Sequence, residues 1–174
     1  MFQNVNRDFS DTKTFFYETE IGVITISECD GSIVNLYFPS SRPHVADSEL
    51  VESEALKEAY AQLKAYLKGK LRKFSLPLAP LGTEFQKSVW KALCNIPYGA
   101  TASYKEIAEA VNNPNAYRAV GNANNKNPIP IIIPCHRVIA SDGKLAGYGG
   151  GITIKEKLLK LEGAVVFSRK NLII

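Results

Sequence analysis

Hydrophobic positions along this 174-residue chain change their spacing several times, and each change marks an element. Phe15-Phe16-Tyr17 and Gly22-Val23-Ile24-Thr25-Ile26-Ser27 are rich in β-branched and aromatic residues, as strands are. Asp30-Gly31 is a hairpin signal. It joins the second run to Ser32-Ile33-Val34-Asn35-Leu36-Tyr37-Phe38, so three antiparallel strands are predicted. Phe38-Pro39-Ser40-Ser41-Arg42-Pro43 breaks the sheet. A helix is expected next, from about Ser48 or Ser53 to Lys68. Leu56, Tyr60, Leu63 and Leu67 recur there at spacings of four, three and four and so share one face. Gly69 stands where a C′ glycine belongs. Pro77 and Pro80 make residues 75–82 read as an interdomain linker. The expected domains are 1–78 and 79–174.

The second half reads as mostly helical. A helix is expected from Gly82 or Thr83 to about Asn95, with Phe85, Val89, Leu93 and Ile96 on its apolar side, Trp90 nearby and Cys94 as a core residue. Pro97-Tyr98-Gly99 stops it. Ser103-Tyr104-Lys105-Glu106 has the S-x-x-E capping-box pattern ahead of Ile107, Ala108 and Val111. Asn113-Pro114 reads as an N-cap and N1 pair opening a second short helix with Tyr117, Arg118, Ala119 and Val120. Two short helices around a tight turn form a helix-turn-helix candidate. The second helix ends in Gly121, Asn122, Ala123, Asn124 and Asn125, small and amide residues that allow close approach to a nucleic-acid backbone. Ser141-Asp142-Gly143-Lys144 is a turn. Gly147-Tyr148-Gly149-Gly150-Gly151 is a glycine loop, either a flexible linker or a pocket wall with room for a flat ligand. The last helix is expected over 152–162, with Leu158, Leu159 and Leu161 inward and Lys155, Lys157 and Lys160 on a solvated face. Gly163 caps it. The fold class is thus α+β: a small N-terminal domain with a three-stranded antiparallel sheet plus helices, and a mostly helical C-terminal domain containing a helix-turn-helix.

Between these helices lies Ile131-Ile132-Ile133-Pro134-Cys135-His136-Arg137-Val138. Three consecutive isoleucines read as a segment buried on all sides. The run is expected to be a core strand that ends at a thiol, an imidazole and a guanidinium. Cations beside a cysteine favour its thiolate and lower its pKa into a reactive range. The alternative is an inert buried cysteine beside a surface His-Arg pair.

Composition narrows the choice. An apolar fraction of 45% and a charged fraction of 22% fit an ordinary globular protein. The polar start, residues 1–10, has no signal-peptide h-region, and no stretch is long and apolar enough to span a bilayer. The three cysteines, Cys29, Cys94 and Cys135, are odd in number and widely spaced, which argues against a disulfide framework or a zinc site and for the reducing cytoplasm. Cys29 and His44 have no partners at useful spacing and read as structural or incidental. Residues 1–83 carry 9 Lys/Arg against 11 Asp/Glu, net −2, and residues 84–174 carry 12 against 6, net +6. The second half is the one that attracts a polyanion.

Pro134-Cys135-His136-Arg137-Val138, with Arg118-Ala119-Val120-Gly121 upstream and Gly147-Tyr148-x-Gly150-Gly151 downstream, resembles the O6-alkylguanine-DNA alkyltransferase family, also called methylated-DNA–protein-cysteine methyltransferase. The resemblance runs from about Thr83 to Gly163. It implies a ribonuclease H-like N-terminal domain and direct reversal of DNA damage. The alkyl group of O6-alkylguanine passes once to Cys135 after base flipping, with self-inactivation; O4-alkylthymine is a second candidate substrate. Cys135 is the implied nucleophile and acceptor. His136 draws off its proton through a water, and Glu162 holds the imidazole. Asn127 shapes the cysteine loop, and Tyr104 presses on the rotating phosphate. Arg118 fills the space of the extruded nucleotide, and Tyr148 hydrogen-bonds the flipped guanine. Ala119, Gly121, Asn122, Arg137, Gly149 and Gly150 complete the implied substrate and DNA surface. Gly149 stands where some members carry a serine, and Asn122 where glycine is frequent. The implied partner is double-stranded DNA containing O6-alkylguanine, bound by a monomer with no cofactor, no metal and no membrane.

The chemistry matches these residue types. Displacement at carbon needs a soft nucleophile in line with the C–O bond, and a thiolate is the best side chain for it. An acid on the imidazole stabilises the cation that forms. The thioether product is not readily hydrolysed, so the protein acts once. Two other classes compete. A cysteine hydrolase built on Cys135 and His136 needs oxyanion donors and turnover. A non-enzymatic DNA-binding protein needs no reactive cysteine.

Overall fold

The computed structural model of the chain describes residues 2–3, 11–41, 50–145, 147–164, 166–167 and 172–173. His44 and Ser48 lie outside the described residues. The chain divides into two compact units between Leu81 and Gly82.

In the first unit, strands β1 (Lys13–Thr19), β2 (Gly22–Cys29) and β3 (Ser32–Tyr37) form an antiparallel sheet in the order β1-β2-β3. Asp30 and Gly31 both have positive φ, 49° and 74°, the conformation that a two-residue hairpin of primed type demands. A bulge interrupts the β2–β3 register at Ser27/Glu28. Helix α1 (Glu54–Leu67) starts at Ser53, whose hydroxyl accepts from the Leu56 N–H. Its inward residues are Leu56, Ala59, Leu63 and Tyr66. The buried face is therefore rotated from the expected stripe. Tyr60 instead stacks on Tyr17, with ring centroids 4.2 Å apart, and donates its hydroxyl to the Glu18 carbonyl.

The expected linker is not free. Ile33 donates its N–H to Pro77 O, and Ala79 donates to Ile33 O, each at 2.9 Å, so residues 77–79 run beside β3. Proline has no N–H to lose in such an edge pairing.

The second unit opens with helix α2 (Glu84–Cys94), started by a capping box between Thr83 and Gln86. Val89, Trp90 and Leu93 are buried, and Trp90 Nε1 donates to Ala123 O at 2.8 Å. Cys94 is exposed, not in the core as expected, because it faces away from that stripe. Strand β4 (Ala102–Ser103) leads into helix α3 (Tyr104–Ala110), which has the predicted Ser103/Glu106 box. Helix α4 (Tyr117–Asn125) begins later than Asn113-Pro114 suggests. Those two residues form a turn in which Ala116 N–H donates to Asn113 O, and Ala116 is an N-cap without a side-chain bond.

Strand β5 (Val138–Ile139) pairs in parallel with β4. Helix α5 (Ile152–Leu161) follows, then the short antiparallel strands β6 (Val166–Phe167) and β7 (Leu172–Ile173). Leu159 packs with Ile139, Ala164 and Leu145. Gly163 takes φ 73° at the C′ position of α5. Among the described residues, no helix is long and apolar enough to cross a membrane.

Candidate active site

The isoleucine run is buried as expected, but it is not a strand. Ile131, Ile132 and Ile133 are at most 6% exposed. Ile133 N–H returns to Ile129 O, and Pro134 at φ −81°, ψ 61° forms an inverse γ-turn in which Cys135 N–H donates to Ile133 O. Cys135–Arg137 is then one turn of 3-10 helix. Ile131 has φ 74°, a costly conformation for a β-branched residue.

Asn127 ties this loop at two points. Its amide nitrogen donates to Ile133 O at 2.8 Å, and its amide oxygen accepts from Ile129 N–H at 3.0 Å. The loop also serves the sulfur. Burial pushes the Cys135 thiol up to about 11, since it is only 4% exposed. Hydrogen bonding from Asn127 and from the Cys135 and Ile131 backbone, together with the charge of Lys155, pulls in the opposite direction. The strained Ile131 backbone thus places an N–H toward the thiolate. The resting thiol is not lowered into a reactive range as the sequence suggests, because the desolvation of a buried anion outweighs those four contributions.

The cation that acts on the thiol is Lys155, not the neighbouring Arg137. Lys155 is fully buried, and its ammonium donates to Val138 O at 2.6 Å. This overturns its expected place on a solvated face. Burial lowers its pKa to about 8.

His136 is fully buried. Its Nε2 is 3.0 Å from Glu162 Oε1, so with an acceptor carboxylate there Nε2 carries the proton and Nδ1 is the basic nitrogen. Burial lowers the His136 pKa; Glu162 opposes that, while Arg137 and Lys155 add to it. Arg137 was expected on the DNA surface. It is buried instead, because its guanidinium is committed to protein acceptors. Nε donates to Glu162 Oε2 at 2.9 Å, Nη2 to Glu162 Oε1 at 2.8 Å, and Nη1 to Ile96 O at 2.6 Å. Gly99 N–H adds a further bond to Glu162 Oε2 at 3.2 Å. Gly99 has φ 80°, and a Cβ there would stand 2.8 Å from Glu162 O, so only glycine fits this close approach.

Tyr104 is half-buried on α3, and its hydroxyl pKa is raised by burial and then by the Cys135 charge, which places it by the thiol. Its ring lies against α4, where a Cβ on Gly121 would meet it at 3.8 Å, an ordinary van der Waals contact. Tyr148 meets His136 edge to face, with centroids 6.5 Å apart. Arg118, Ala119 and Asn122 line the exposed side of α4, while Val120, Ala123 and Asn124 point inward. Gly149 is exposed and Gly150 half-buried. A cavity of about 410 Å³ beside the two helices is lined by Tyr104, Lys105, Pro114, Asn115, Tyr117, Ala140 and Ser141. The arrangement brings Cys135, His136, Glu162, Asn127, Tyr104 and Tyr148 together and leaves Arg118 outward on the basic unit. It adds Lys155, Gly99 and Ile131, which sequence reasoning did not assign.

Residues 84–164 match the 6-O-methylguanine DNA methyltransferase DNA binding domain, and residues 13–80 match the ribonuclease-like domain of the same family. A methylated-DNA–protein-cysteine methyltransferase from Methanosarcina barkeri is 55% identical over 147 residues, covering 83% of this chain and 93% of the relative. The crystal structure of Mycobacterium tuberculosis OGT in complex with DNA superposes with a TM-score of 0.78 at 44% identity, covering 86% of this chain and 92% of that one. The O6-methylguanine-DNA methyltransferase of Pyrococcus kodakaraensis gives a TM-score of 0.65 at 26% identity, with 88% and 99% covered.

Proposed function

Because the chain belongs to the 6-O-methylguanine DNA methyltransferase family, we propose that it repairs double-stranded DNA by moving the alkyl group of O6-alkylguanine, once, onto Cys135. The observation that carries this reading is the buried Cys135 thiol, set among the Asn127 amide, the Ile131 N–H and the Lys155 ammonium, with the His136–Glu162 pair adjacent.

The Cys135 proton passes through a water to His136 Nδ1, and its electron pair stays on sulfur. Sulfur attacks the alkyl carbon in line with the C–O bond. The S–C bond forms as the C–O bond breaks, and the released pair stays on guanine. The guanine takes a proton or hydrogen bond as it leaves, for which Tyr148 is the available hydroxyl. The O6 atom lies inside a stacked duplex, so the nucleotide must first leave the stack at a cost of a few kcal/mol. Arg118, outward on α4, fills the gap, and Tyr104 presses on the phosphate that rotates. Ala119, Gly121 and Asn122 form the close face of α4 toward the backbone, and Gly149 and Gly150 make room for the base. The net +6 of residues 84–174 attracts the polyanion. The protein acts as a monomer in the cytoplasm, and its free cysteines fit a reducing compartment.

The test is a time course with duplex DNA carrying a labelled O6-methyl group in excess. The expected result is a burst of one label per chain and no later turnover. Continued release of label into solution points to a hydrolase and overturns the proposal.

A further inference from the structure

Tyr117 is the first residue of α4, three and seven residues ahead of Val120 and Asn124, which are buried. That spacing belongs to the inward stripe, yet Tyr117 is 47% exposed. Its ring borders the cavity that it shares with Tyr104, Pro114 and Ser141. Among the described residues of the second unit, Tyr117 and Ile152 are the large apolar side chains left exposed. Core packing therefore does not account for a tyrosine at this position. The neighbouring residue does. The Arg118 guanidinium lies over the Tyr117 ring, 5.7 Å from its centroid, within the distance at which a ring face attracts a cation. Successive residues on a helix do not face each other, so the contact forms only because the two side chains turn toward one another. Among the described residues, the guanidinium has no hydrogen bond and no ion pair, which leaves the Tyr117 ring as the group that restrains it.

We propose that Tyr117 is the positioning residue of the Arg118 wedge: its ring holds the guanidinium in place on the exposed side of α4 before the duplex arrives, so that the gap is filled as the nucleotide leaves the stack. The inference rests on the reading of Arg118 above and extends it to a residue that never touches the reacting atoms. An unrestrained arginine side chain loses rotamer freedom when it enters a duplex, and one already ordered loses less. The ring face is the working part of Tyr117, because the cation is drawn to the ring and not to the hydroxyl.

The test is a double-mutant cycle read by single-turnover methyl transfer from duplex O6-methylguanine DNA to Cys135, with free O6-benzylguanine as the substrate that needs no extrusion. Tyr117→Ala should slow the duplex reaction about two- to fivefold, the size of an exposed cation–π contact. Its reaction with the free base should stay near the parent rate. Tyr117→Phe keeps the ring and should match the parent on both substrates. Tyr117→Leu keeps apolar bulk without the ring and should behave as Tyr117→Ala does. In an Arg118→Ala background, Tyr117→Ala should cost nothing more. The same loss in both backgrounds means that the ring touches DNA or supports α4 on its own account, and overturns the inference. So does a Tyr117→Leu protein as fast as the parent, or an equal loss on the free base. The same cycle tests the reading of Arg118. An Arg118→Ala protein that repairs the duplex at the parent rate overturns that reading and this inference with it. A duplex-specific loss in Arg118→Ala, without coupling to Tyr117, overturns the inference alone. A parent protein that transfers no methyl group overturns the repair reading and both of these with it.

Discussion

The Lys155 ammonium donates a 2.6 Å hydrogen bond to the carbonyl oxygen of Val138, three residues past Cys135, with its whole side chain out of solvent. A buried cation beside a thiol is a constant bias toward thiolate, one that needs no proton transfer to act. It is also costly to hold, which is why burial lowers its pKa to about 8.

That cost gives stability a defined dependence on pH. The folded protein releases the Lys155 proton above about pH 8, whereas the unfolded chain keeps it to its ordinary value of about 10.4. Between those values the unfolded state binds more protons, so stability rises with pH. Cys135 has the opposite sign, because its raised pKa makes the folded state hold the proton longer. A Cys29→Ala/Cys94→Ala/Cys135→Ala background isolates the lysine, because the other two thiols are raised as well. There, the urea midpoint should rise between about pH 7.5 and 9.5, reflecting a gain on the order of 1–3 kcal/mol. Adding Lys155→Met should flatten that rise. An equally steep climb with Lys155→Met added would show that Lys155 is not the buried base.

The signal for Lys155 stood in the chain. It precedes Leu158 and Leu159 by three and four residues, which puts it on the inward stripe of α5, but lysine is assigned to solvent by default. Local rules served well where the determinants are local. Asp30-Gly31, Gly69, Gly163 and the capping box at Ser103 each satisfy backbone groups within a few residues. They failed where a tertiary contact decides. Three isoleucines read as a buried core strand, and nothing in the run itself announces a turn. Bonds from Asn127 and the positive φ of Ile131 select the turn. Likewise the partner of Arg137 is Glu162, 25 residues away, which no spacing rule announces. The resemblance named Cys135 and His136 from their motif and Glu162 and Asn127 by matching position, and it put Arg137, which is buried, among the DNA-facing residues.

Asn127 should be costly to truncate. Asn127→Ala removes two side-chain bonds to the backbone of the cysteine loop and one to the sulfur. At about 0.5–1.5 kcal/mol for each of the two bonds to the backbone, unfolding free energy should drop by roughly 1–3 kcal/mol. The Cys135 alkylation profile should shift to higher pH as well, since a thiolate donor is lost. A stability loss with an unmoved profile would confine Asn127 to a loop tether.

Arg118 is exposed on α4, with its guanidinium 5.7 Å from the Tyr117 ring centroid, outside the set of groups that hold the Cys135 thiol. Arg118→Ala should therefore slow repair of duplex O6-methylguanine by at least about tenfold, since extrusion costs a few kcal/mol. Reaction with free O6-benzylguanine should be nearly unchanged. Duplex affinity of the parent protein should fall as salt rises. Equal losses on the duplex and on the free base would show that Arg118 does not fill the gap.

Every part of this account converges on one sulfur atom. Incubation with excess duplex O6-methylguanine DNA, followed by intact-mass and peptide mass spectrometry, should find each chain heavier by about 14 Da, with the whole increment on Cys135 as a thioether. Cys135→Ala should take up no methyl group while still binding the duplex. A methyl group on Cys29 or Cys94, or an unmodified Cys135 after the lesion has been repaired, would contradict the account.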